Sequence, residues 1–328
     1  MYIEKKYGFW RTFNWSKTPF ILGTLYSAVV CSLIYFLEIE TIIPWQPITL
    51  IGIAVAFYLG FKNNSSYDRT WEARKIWGSI VNNSRTFGAA TVAFVQGDKQ
   101  EAVKKELIYR HIAWLTACRF QLRRPKPWEH DDLGKYVIPC PETEGDYTQT
   151  LTAELRKYLS QSEVAELMNT SNRATQILKK QSIRLQELRD EELFEDFRHM
   201  EFHQLITSFY ADQGKAERIK GFPFPRQYAS VALWLTLVFA AFVPIGMVNM
   251  VGDEFFKVCV LTPLLSGLII WVFFLMEKIG DYSENPFEGS YNDVPITNIA
   301  RTIEIDMREM INDSDIPEPT KEIDGFLV

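Results

Sequence analysis

Residues 54–78 read AVAFYLGFKNNSSYDRTWEARKIWG. The stretch begins as apolar as a membrane-buried helix and ends charged and tryptophan-bearing, with no proline to stop a helix between. Its pattern predicts one continuous helix leaving the lipid and running on into water. A spacing of four puts Ile53, Phe57 and Phe61 one above another on a single face. Such a stripe packs against a neighbouring span or against lipid, or it faces a symmetry axis. In the second case identical helices build a narrow apolar neck, a constriction that gates ion flow by dewetting.

Four runs carry no charged residue: 18–37, 41–61, 227–252 and 258–276. Each is close to the ~20 residues needed to cross ~30 Å of hydrocarbon. Between the second and third lies a polar, charge-rich block from Lys62 to Arg226. Any one run alone reads equally as a buried core helix, and Pro44 and Pro47 give that reading weight for 41–61. Four runs arranged two plus two around a polar block instead predict an integral membrane protein. The mean hydropathy near zero averages these two populations.

Lysine and arginine near the span ends set the orientation. The leader, residues 1–17, carries Lys5, Lys6, Arg11 and Lys17, whereas the connection after the first run carries Glu38 and Glu40. The connection after the third run has Lys257 alone among basic residues. Both termini and the 62–226 block are therefore expected in the cytoplasm, in a multi-pass protein of the cell membrane. The leader precedes a span too long and too aromatic for a cleaved signal peptide. The net charge of −6 gives no sign of nucleic-acid binding. The four cysteines show no CxxC spacing and read as reduced thiols.

Helical spacing recurs through the polar block at 66–95, 100–124, 150–168, 172–194 and 195–219, with a proline- and acid-rich loop at 124–146. The expected organisation is a cytosolic leader (1–17), a first pair of membrane helices (18–61), a cytosolic helical domain (62–226) and a second pair (227–276). A cytosolic helical segment (277–311) and an extended or disordered tail (312–328) follow.

Chemistry is sparse. His199 and His203 share a helix face at i, i+4, a zinc-compatible spacing, but Met200 stands where a zincin needs glutamate, and no third ligand is near. They read as surface or interface histidines. There is no Gly-rich phosphate loop and no GxSxG, so no enzyme is expected and no cofactor. No span contains a buried carboxylate or basic residue of the kind coupled transporters use.

The stretch FYLGFKNNSSYDRTWEARKIWG resembles the signature of bacterial bestrophin homologues, as do GFPFPRQYASVALWLTL and GDYSENPFEGSYNDVPITNIARTIEIDM further on. The three motifs stand in the family's order and cover most of the chain. The resemblance implies an all-α membrane protein with four transmembrane helices per subunit. It implies a closed ring of five copies around a central pore that continues through the cytosolic helical domain. Its permeant partners would be monovalent ions. The family's neck falls on Ile53, Phe57 and Phe61, and its cytosolic aperture, an apolar residue before a proline, on Phe224. Asn63, Asn64, Ser65 and Ser66 would then line the exit from the neck, and Arg69 and Glu72 stand at ion-pair spacing.

Eukaryotic members hold calcium after the NPF motif. Here Asn285-Pro286-Phe287 is followed by a hexapeptide with two acids, few for an ion that takes six to eight oxygens. Asn292 and Asp293 are the residues a weak site would use, and a structural turn is the simpler reading. Arg226 beside Phe224 would favour anions such as chloride if it faced the axis; as a headgroup anchor it would not. The alternatives are a cation channel of the same fold and, from another class, a membrane-anchored helical scaffold or sensor that conducts nothing.

Overall fold

The computed structural model describes residues 1–39, 43–130, 140–143, 145–251 and 254–328. Part of the expected loop at 124–146, and Glu40 and Asp253 of the expected outer turns, lie outside the described residues. The fold is all-α. The helices are α1 (Phe9–Phe36), α2 (Trp45–Phe94), α3 (Gln100–Arg123), α4 (Tyr147–Leu155), α5 (Gln161–Met168), α6 (Arg173–Asp190) and α7 (Asp196–Gly221). They continue as α8 (Arg226–Val251), a π-helical turn (Lys257–Leu261), α9 (Thr262–Asp281) and α10 (Ile296–Met310). Among the described residues the only β pairing is two isolated bridges, Tyr2 with Phe326 and Ile323 with Phe326.

The chain divides into two compact units. One comprises Glu4–Arg69 and Phe224–Glu284, the other Met1–Ile3, Thr70–Pro223 and Asn285–Val328. The first contains the four helices long and apolar enough to cross a membrane, the second of them being the start of α2. Pro44 precedes α2 and Pro47 sits in its first turn, where a missing N–H costs nothing. The two prolines of run 41–61 therefore leave the helix from Trp45 onward unbroken.

In this unit α1 lies against α9 through small residues. A Cβ on Gly23 would meet the Ile270 side chain at 2.9 Å, and one on Gly267 would collide with Thr24. Helices without a hydrophobic drive between them associate through such close approach. Ile48, Val55, Leu59, Phe239, Val243 and Ile270 fill the centre. At the end of the span Lys278 donates to the Trp15 carbonyl at 2.7 Å, and Trp271 donates to Ser16 Oγ at 2.9 Å.

The other unit is a helical bundle built around α3, which is buried over nearly its whole length. His111 sits at its middle, 4.6 Å from the Phe209 ring and 5.2 Å from Phe87 (centroid to centroid), with Nε2 2.9 Å from Ser84 Oγ. Burial pushes the imidazole down to about 3, so it is a neutral core residue. The helical pattern at 150–168 is two helices, not one. Ser160 caps α5 by accepting from the Glu163 N–H, and its SxxE sequence is a capping-box signature. The tail after α10 is extended and held by the chain itself. Ile3 N–H donates to the Gly325 carbonyl at 3.0 Å, and Phe326 is buried between the Tyr2 and Tyr291 rings.

Candidate ion pathway

Within the membrane-helix unit, α2 presents two opposed faces. Val55, Leu59 and Lys62 are at most 1 % exposed and pack into the unit. Ile53, Phe57 and Phe61 are 52 %, 67 % and 60 % exposed, with the two phenylalanine rings 6.3 Å apart. Leu50, one turn earlier, extends the stripe and was not singled out from the sequence, although its spacing to Ile53 is helical. Among the described residues, the chain therefore leaves a line of apolar side chains on α2 more than half exposed. Opposite that line Lys62 Nζ bonds Glu277 at 2.8 Å, with Asp281 at 3.8 Å, and this anchors the helix from behind.

The polar exit expected at 63–66 is divided between the faces. Asn64 and Ser65 are exposed, but Ser66 is buried, and Asn63 lies against Gly280, whose missing side chain makes room for it. The expected Arg69–Glu72 pair gives way to other partners. Arg69 Nε donates to the Glu284 carbonyl at 2.8 Å, and Glu72 pairs with Arg218 at 2.5 Å. Helical spacing brings two charges near one another, but it does not decide which of them a third group outcompetes.

Phe224 is 3 % exposed, its ring 5.8 Å from Tyr228. The exposed aromatic of that turn is Phe222, at 71 %. Arg226 Nη1 lies 3.2 Å from Glu284 Oε1; the arginine is half exposed and the glutamate buried. Its charge is compensated inside the chain, which the sequence separation of the two residues concealed.

Neither metal candidate assembles a ligand set. His203 is exposed and His199 stacks on Phe194 at 6.2 Å, and the described residues hold no group of three or more potential metal ligands. Asn292 is exposed while Asp293 is buried. Asp293 accepts from Arg123 Nη1 at 2.8 Å, from Ser290 Oγ at 2.7 Å and from the Gly289 N–H at 2.5 Å. Burial pushes its carboxyl up, and the Arg123 guanidinium opposes that. The cation at this carboxylate in the structure is the Arg123 side chain.

Comparison with known proteins gives a consistent frame. A family model described as bacterial/fungal bestrophin protein matches residues 17–309. A voltage-dependent anion channel-forming protein of Ralstonia nicotianae is 29 % identical over 304 residues, 91 % of this chain and 89 % of that one. One of Mesorhizobium japonicum is 25 % identical over 298 residues, covering 90 % and 85 %. A crystal structure of a bacterial bestrophin homologue from Klebsiella pneumoniae superposes with a TM-score of 0.74 at 23 % identity, covering 90 % of this chain and 98 % of that one; it supports the fold. With four candidate spans and a match over most of its length, this chain belongs to the bacterial and fungal bestrophin family of multi-pass membrane proteins.

Proposed function

We propose that this protein is the subunit of a passive ion channel, a closed ring of five copies in the cell membrane with both termini in the cytoplasm. The observation that carries the reading is the uncovered line Ile53–Phe57–Phe61 on a helix anchored from behind by Lys62. Five such lines around one axis would make an apolar neck that holds back hydrated ions until it wets. Residues 70–223 would surround the conduit beyond the membrane. Phe224 would form the rim of the second constriction, by family resemblance.

The curated relatives, named for anion channel formation, support monovalent anions such as chloride as the permeant class. A second reading, monovalent cations, is favoured by the Arg226–Glu284 pair, because that contact cancels the positive ring that Arg226 would otherwise supply.

Reconstitution of the purified protein in planar bilayers under a KCl gradient tests both readings. Current should appear in wild type and rise in Phe57→Ala as the neck is widened. A reversal potential on the chloride side supports the anion reading, and one on the potassium side the cation reading. Absence of current even in Phe57→Ala would overturn the channel and leave a membrane-anchored helical scaffold.

A further inference from the structure

The line that makes the neck does not end with it. An α-helix turns about 100° per residue, so eleven residues return to within about 20° of the starting direction. Eleven residues after Phe57 stands Asp68, and seven after it Asn64, on the other flank of the same line. Both are exposed. Asp68 has no ion-pair partner among the described residues. Its neighbour Arg69 turns away, donating to the Glu284 carbonyl on the packed side of the helix. The first charge met on the stripe below Phe61 is therefore a carboxylate, about 10 Å further along the axis at 1.5 Å per residue. Arg226 is likewise held by Glu284, through its side chain.

We infer that Asp68 is the charge-determining residue of the ion pathway: five copies form a ring of carboxylates just beyond the neck that concentrates cations and repels anions at its mouth. The inference rests on the channel reading above. An apolar neck does not itself distinguish the sign of an ion, so charges within about one Debye length of its ends, about 10 Å at 0.1 M salt, set the preference. Lys75, two turns further on, lies about another 10 Å away and acts less on the neck. Whichever ion the wild type prefers, Asp68 shifts that preference towards cations.

The test compares wild type, Asp68→Asn and Asp68→Lys in planar bilayers under a KCl gradient, each also carrying Phe57→Ala. Asp68→Asn should move the reversal potential towards the chloride equilibrium value, with the potassium-to-chloride permeability ratio falling on the order of fivefold. Asp68→Lys should move it further. In wild type alone, raising the salt from about 0.1 M to about 1 M shortens the Debye length to about 3 Å and should reduce the cation contribution, a reading that needs no variant to assemble. A conducting Asp68→Asn with an unchanged reversal potential, or a wild-type ratio independent of salt, overturns the role of Asp68 and leaves the channel standing. No current with the neck opened overturns the channel itself, and the carboxylate ring with it.

Discussion

Replacing Lys62 by methionine removes the ammonium that two carboxylates share behind the exposed apolar line of α2. Lys62 is wholly buried, and Glu277, 2.8 Å away, is 13 % exposed, with Asp281 at 3.8 Å. Losing one partner of a buried pair leaves a charge without compensation and costs about 3–5 kcal/mol, far more than a surface pair is worth. The second carboxylate nearby adds repulsion, so the loss should not fall below the lower end. At about 2–4 °C per kcal/mol, a loss of about 3 kcal/mol lowers the thermal midpoint by about 6–12 °C. The assay is tryptophan fluorescence of detergent-solubilised protein at one fixed scan rate, because unfolding of such a protein is read as a rate. Adding Glu277→Met should recover most of the loss, since an apolar pair of similar volume replaces a buried ion pair at little cost. A midpoint for Lys62→Met within about 2 °C of wild type, or a double variant no better than the single, would refute the reasoning.

Two further outcomes follow from the packing and the charges. Gly267→Leu drives a side chain into Thr24 where α1 and α9 approach most closely, and should abolish recovery of folded protein on size exclusion, whereas Gly214→Ala, in open space on α7, should not. Asp313 is pushed up by burial, but hydrogen bonds from Tyr109 and Arg308 and the charges of Arg308 and Lys105 outweigh that and hold it at about 2. A depressed carboxyl contributes stability that is complete above its unfolded value near 4 and lost as pH falls through about 2. Asp313→Asn should therefore be less stable than wild type by about 2 kcal/mol at neutral pH, with the difference closing between about pH 4 and pH 2 in acid-unfolding curves.

What could be read from the sequence was whatever depends on neighbours along the chain. Four uncharged runs gave four spans, and the unbroken stretch after Pro47 gave the long α2. The period of four gave the line Ile53–Phe57–Phe61, because helical azimuth is a property of spacing alone. What depended on partners far away was not legible. Arg119 and Arg123 look like the polar face of an amphipathic α3, yet both are buried. Their charges are met by Glu142 and Glu154 for one and by Asp293 for the other, all distant in sequence. Phe224, between two prolines, reads as an anchored turn, but the sequence does not say that the anchor includes the Tyr228 ring. The break between α4 and α5 was written in Ser160 and Glu163, but two short helices and one longer one share the same apolar period.

The close approach of α1 and α9 bears on how the protein is made. Gly23 and Thr24 leave the ribosome well before Gly267 and Ile270, with the Thr70–Pro223 part of the other compact unit made between them. Until α9 arrives, α1 lacks the partner that packs closely on Gly23 and Thr24. A chain that stops before α9 lacks that close packing, which is what associates helices inside a bilayer. Completion of the membrane part thus waits for α9, and an unfinished copy is one in which α1 has not found its packing partner.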